Sequence, residues 1–144
     1  MNQLINISEA ASLAFHGLAL VAQESPKRVN VKEIARRLNA SEAHLAKVFQ
    51  TLNRAGITAS QRGPRGGFIL KRPSEDISFL DVYETIESPV TLSDCPMGYT
   101  ACGFNDCIFD QKLNDISREI LKTFGSIKLD QFIKSGEKTP KEIL

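Results

Sequence analysis

Apolar positions along the chain change their spacing three times, and each change marks an element. Leu13, Leu18, Val21 and Ala22, with small residues between them, predict a buried helix ending near Gln23, where Ser25-Pro26 stops it. Asn6-Ile7-Ser8-Glu9 reads as the capping box that opens it. His16, the one histidine on that apolar helix, reads as a core or boundary residue. Asn30-Val31-Lys32-Glu33 is a second start of the same kind, followed by Val31, Ile34, Ala35 and Leu38 at the i, i+3, i+4, i+7 spacing of one buried face. Asn39-Ala40 then marks a turn and Ser41 a cap, after which Leu45, Val48, Phe49 and Leu52 repeat that spacing. Two short helices joined by a tight turn describe a helix-turn-helix, although a plain helical hairpin would carry the same pattern.

The following segment separates those readings. Gly56 closes the second helix, and Ile57 to Arg62 and Phe68 to Lys71 read as strands joined by Gly63-Pro64-Arg65-Gly66-Gly67. Glycine supplies the positive φ a tight hairpin needs, so Arg62 and Arg65 fall at the tip of a protruding β-wing. Arginine there can grip phosphate or enter a narrow minor groove. The loop is not a phosphate-binding P-loop, because no Gly-Lys-Ser/Thr follows and no helix begins there. On the second helix, the face opposite the apolar one carries Ala43, Lys47, Gln50 and Arg54, with His44, Ala46 and Thr51 at its edges. That slim, non-acidic face fits a major groove about 12 Å wide, its early residues toward base edges and Arg54 toward phosphate.

Beyond Pro73, Ser78 caps a short helix through Phe79, Leu80, Val82, Tyr83 and Ile86 to Glu87. Pro89 to Asp106 has no apolar period and reads as a functional loop. From Asp110 a long amphipathic pattern resumes with Leu113, Ile116, Ile120, Leu121, Phe124 and Ile127, and Gly125 predicts a break in it. Such a helix suits dimerisation or packing on its own core. The tail from Lys134 is polar and predicted to fray. The expected organisation is a winged helix-turn-helix domain over 1–88, a cysteine-rich cofactor loop over 89–109, and a dimerisation helix with its tail over 110–144. The fold class is therefore mainly α with a small β-wing.

Charge sharpens this picture. The net charge of the 144 residues is only +1, but residues 27–72 hold eleven Lys and Arg against Glu33 and Glu42, a surplus of nine offset by acids elsewhere. Such asymmetry is the footprint of a polyanion-binding module beside a module with another task, rather than a merely solvated face. No apolar run approaches a membrane span and no signal-peptide layout opens the chain, so a cytoplasmic location and no membrane partner are expected. Thiols stay reduced in that compartment, which turns attention to Cys95, Cys102 and Cys107. Cys95-x6-Cys102-x4-Cys107 can wrap around an iron–sulfur cluster. A thiol or disulfide switch with one thiol left over, or a zinc site, is compatible with the same count. A cysteine-based redox enzyme or metal carrier is disfavoured, since there is no C-x-x-C and no cysteine–histidine pair close in sequence.

Val31 to Leu38, Leu45 to Leu52, Gly56-Ile57, and above all Arg62-Gly63-Pro64-Arg65-Gly66-Gly67-Phe68 resemble the IscR/NsrR-type family of bacterial winged-helix transcription regulators. The likeness runs from about Asn6 to Ile133. It implies a bacterial, non-enzymatic regulator: a homodimer joined through the long C-terminal helix and bound to a palindromic operator on double-stranded DNA. A 2Fe–2S or 4Fe–4S cluster would control its affinity in response to redox state, iron–sulfur status or nitric oxide. The recognition helix maps to Ser41 to Ala55, so the candidate DNA contacts are Ser41, Ala43, His44, Lys47, Gln50, Arg54, Arg62 and Arg65. The cluster ligands map to Cys95, Cys102 and Cys107, with Glu9 as fourth ligand reaching across from the partner subunit and Asp110 as the alternative. The middle cysteine stands one place later than the family's even spacing, and Ala46 replaces an operator-discriminating glutamate. Control by thiol chemistry, a small metabolite or a protein partner, without a cluster, is the alternative.

Overall fold

The computed structural model describes residues 6–92, 95 and 102–133. Its elements are α1 (Glu9–Gln23), α2 (Val31–Leu38), α3 (Glu42–Arg54), β1 (Thr58–Gln61), β2 (Gly67–Leu70), α4 (Phe79–Glu87), α5 (Lys112–Ser126) and α6 (Asp130–Ile133), with a 3₁₀ turn at Ser74–Asp76. The tail expected from Lys134, and Pro96 and Gly98 of the loop, lie outside the described residues.

Local chemistry sets the helix ends. Ser8, not Asn6, caps α1, its Oγ accepting the Ala11 N–H at 3.0 Å. The expected Asn6–Glu9 capping box is therefore displaced: the helix starts later, and Glu9 is its first residue rather than the third-position partner of a cap. Asn30 caps α2 by accepting the Glu33 N–H at 2.9 Å, and Ser78 and Asp81 form a full capping box on α4. The exits of α2 and α3 share one device. Asn39 and Gly56 take left-handed φ of 50° and 75°, and the next residue's N–H reaches back into the helix, Ala40 to Ala35 O at 2.9 Å and Ile57 to Leu52 O at 3.0 Å. That geometry makes the tight turn of the helix-turn-helix and launches the wing.

Phe49 sits at the centre of the core, fully buried with Leu18, Ile34, Leu45 and Leu52. Gly17 lets α1 approach it, since a Cβ there would come within 2.7 Å of the Phe49 ring. The wing is a two-stranded antiparallel sheet with Thr58 opposite Leu70 and Gln61 opposite Gly67. Its root is pinned by Val29 before α2, which exchanges hydrogen bonds of 3.1 and 2.8 Å with Phe68. Gly67 (φ 144°) stands where any Cβ would meet the Val29 backbone at 2.7 Å.

α5 behaves differently. None of its residues is buried, although Phe124 meets Tyr83 and Phe79 edge-on at centroid distances of 6.0 and 6.3 Å. The break expected at Gly125 falls after Ser126, because Gly125 faces α4 with only the Leu80 side chain near it. The chain then returns to the first unit. Leu129 is buried in the core, its N–H donates to Ile77 O, and Phe132 stacks on Phe79. No described helix is long and apolar enough to cross a membrane.

Candidate nucleic-acid interface

The outer face of α3 is built as its sequence pattern predicts. Leu45, Val48, Phe49 and Leu52 are buried, which turns Ala43, Lys47, Gln50 and Arg54 outward, all exposed. Ser41 is exposed at the cap and accepts the His44 N–H at 3.3 Å. Arg54 lies back along the helix, its Nε donating to Gln50 O at 3.4 Å. Arg62 and Arg65 are exposed in the hairpin loop.

α3 and the wing share one concavity. Gln50 and Asn53 from α3 and Ser60, Gln61 and Arg62 from the wing line a polar cleft of about 390 Å³, closed by Asn30 and Val31 at the start of α2. Asn53 Nδ2 donates to Ser60 Oγ at 3.3 Å across it, while Asn53 Oδ1 is buried without a protein partner. Asn53, Ser60 and Gln61 carry no motif in the sequence, and Asn30 is marked there only as a helix cap. Asn53 follows Gln50 by one helical turn, the spacing that would have placed it beside the reading face.

Ion pairs occupy three arginines of the basic segment. Arg36 is bound to Glu33 and Arg37 to Glu24, each at 2.8 Å, and Arg72 lies 3.7 Å from Asp81. The Arg36 hydrogen bond holds the Glu33 carboxyl below its usual range. These arginines are engaged in surface ion pairs within the chain. Lys47, Arg62 and Arg65, by contrast, project from the reading helix and the wing.

His44 is the exception among the candidates, half-buried with Nδ1 3.7 Å from the Glu9 carboxylate of its own chain. Glu9 thus faces α3. The alternative ligand Asp110 is exposed, its carboxylate 3.1 Å from Lys112 Nζ.

Of the cysteines, Cys95 is half-buried, Cys102 and Cys107 are exposed, and no disulfide joins them. Asp110 and Gln111 take successive left-handed φ of 50° and 55°. The turn they make brings backbone N–H groups of Gln111, Phe109 and Asp110 to the Cys107 sulfur. These hydrogen bonds, chiefly that of Gln111, hold the thiol below its ordinary range despite desolvation and the Asp110 charge. Three thiols, one biased toward thiolate, suit a soft metal centre in donor type. Among the described residues, however, no three of His, Cys, Asp and Glu stand together as a metal-holding group. The ligand types fit a cluster.

Residues 7–135 match the family model described as Rrf2, iron-dependent transcriptional regulator. The chain is 31% identical over 128 residues to the HTH-type transcriptional regulator IscR of Xenorhabdus nematophila, covering 88% of this chain and 76% of that protein. Among solved structures, T. potens IscR superposes with a TM-score of 0.76 at 23% identity, covering 97% of this chain and 94% of that one. CymR, the global cysteine regulator of B. subtilis, gives 0.69 at 21% identity over 91% of this chain and 98% of that one. Both share the mainly helical fold with its two-stranded wing.

Proposed function

Because the chain belongs to the Rrf2 family of transcriptional regulators, relatives that regulate transcription and are not enzymes, we propose that it is a homodimeric, sequence-specific DNA-binding regulator whose operator affinity follows the state of Cys95, Cys102 and Cys107. One observation carries this reading: the exposed face of α3 and the arginine-bearing wing border a single polar cleft. Around it, Ala43, Lys47 and Gln50 on the exposed face of α3 meet base edges in the major groove, Ser41 and Arg54 hold the flanking backbone, and Arg62 and Arg65 of the wing follow the strand into the neighbouring minor groove. The dimer supplies the second head, at half-sites spaced by about 34 Å or a multiple of it. The unpartnered apolar face of α5, with Leu113 40% and Ile116 55% exposed, supports that assembly. A protein working on DNA in this way is cytoplasmic.

Cys95, Cys102 and Cys107 would hold an iron–sulfur cluster, with Glu9 or Asp110 as oxygen ligand. When bound, the cluster supplies a centre that oxidants and nitric oxide can alter. The protein's own part is to hold the Cys107 thiol below its ordinary range through its three backbone donors and to join the cysteine segment to α5. A second reading, switching by thiol chemistry alone, is supported by that same acidified, exposed Cys107.

Anaerobic purification followed by iron, sulfide and absorbance measurements separates the two readings. Under the first, iron and sulfide accompany the protein, and Cys102→Ala removes both and changes operator affinity while the fold persists. Iron-free protein whose affinity still changes on oxidation selects the second. In either case operator binding weakens steeply with salt, because each neutralised phosphate releases counterions.

A further inference from the structure

We infer that the first turn of α1 links the cysteine segment to DNA reading, with His44 as the positioning residue that receives the signal. This rests on the regulator reading above and names the path inside it. The turn is held from both sides. On one side, Ser8 Oγ donates to the Glu87 carboxylate at the end of α4, the helix that feeds the cysteine segment. The segment's beginning is tied to the same helix end, where the Val90 N–H donates to Glu84 Oε1 at 2.9 Å. On the other side, the next residue, Glu9, faces His44 Nδ1 at 3.7 Å in the first turn of α3. Ser8 also caps α1. A shift of the α4 end therefore moves the helix start that carries Glu9 rather than one loose side chain.

His44 is suited to receive that shift. It flanks the outward face formed by Ala43 and Lys47, and its ring is only half-buried, so it can turn toward Glu9 or toward a DNA strand. A carboxylate beside the reading face also places negative charge where phosphate must approach, and His44 Nδ1 lies 3.7 Å from it. Whatever draws the Glu9 carboxylate away frees the ring. The contact is solvent-exposed, which limits its effect to about fivefold in affinity.

A double-mutant cycle tests the link in metal-free, reduced full-length protein, where the cluster has no part. Operator Kd is measured for the wild type, Glu9→Gln, His44→Gln and the double variant. Histidine ring ¹⁵N shifts are recorded on the free proteins, together with Glu87→Gln. Glu9→Gln is expected to change Kd two- to fivefold in the His44 background and not at all in the His44→Gln background. The His44 ring signals should move in both Glu9→Gln and Glu87→Gln. An equal Kd change in both backgrounds, no change in either, or ring signals indifferent to these substitutions would overturn the link. Where metal-free wild type binds no operator, the ring shifts decide whether the path exists; a protein that binds none with its cluster either fails the regulator reading instead.

Discussion

The two ends of the molecule are built from similar apolar residues and finish in opposite states. From Glu9 to Glu87 the helices place Leu18, Ile34, Leu45, Phe49, Leu52 and Val82 at 4% exposure or less, so this unit completes its core within one chain. Helix α5 has the same amphipathic spacing but no fully buried residue, and Phe104, Ile108 and Phe109 before it are 67%, 73% and 41% exposed. Burial of apolar area is what stabilises a helix of this length. The contrast teaches that the reading head buries its apolar faces within one chain, with Leu129 completing the core, whereas α5 leaves Leu113 and Ile116 uncovered. A switch has to be drawn from the less self-sufficient region.

Breaking the completed half should produce the largest effect. Phe49→Ala empties the centre of the core and is expected to cost about 3–5 kcal/mol by chemical denaturation. A loss below about 1 kcal/mol would mean that the reading head is not packed around this ring. Substituting the uncovered half should do the reverse: Ile116→Asp leaves the denaturation midpoint of the monomeric reading head in place while sedimentation velocity shows loss of the dimer. Operator affinity then falls about 10²-fold, since two linked heads are reduced to one. A dimer that survives Ile116→Asp would move the interface off this face.

The wing falls between these extremes, with little core of its own but a fixed root. Gly67→Ala forces a Cβ onto the Val29 backbone at φ 144° and is expected to cost about 1–3 kcal/mol, read in the denaturation midpoint. Amide exchange at Val29 and Phe68 should accelerate before that of the α3 core amides. Uniform acceleration would show that the wing is integral to the core rather than docked on it.

The completed half was the legible one. Its apolar spacing named the faces of α2 and α3, Asn39 and Gly56 marked their exits, and the glycines marked the wing, because each of these is a local rule acting on adjacent residues. What escaped depends on distant partners. The Val29–Phe68 pairing, the return of Leu129 to the core and the polar cleft around Asn53 all join residues far apart in the chain. The start of α1 was misplaced because Asn6 and Ser8 both qualify as caps by type, and only the hydrogen bond to Ala11 distinguishes them. Arg36, Arg37 and Arg72 counted toward the basic surplus although ion pairs occupy them. For the candidate ligands, residue type and spacing named the thiols but could not show that Glu9 faces His44.

The smallest effect probes the uncovered half alone. Cys107 is exposed, and backbone N–H groups stabilise its thiolate, so the proton leaves at a lower pH than from an unstructured thiol of about 8.5. Alkylation requires the thiolate, so its rate rises with pH through that value and levels off above it. Mass spectrometry of metal-free, reduced protein should place the half-maximal rate at Cys107 below the value for a peptide spanning 102–112 in denaturant. Gln111→Pro, which cannot adopt the φ of 55° at this position, breaks the turn that supplies the donors and should move the profile back upward, with no change in the denaturation midpoint of the reading head. Coincident profiles for folded protein and denatured peptide would mean that the turn at Asp110 and Gln111 does not persist in solution, and the cysteine segment would then lack local order before anything covers it.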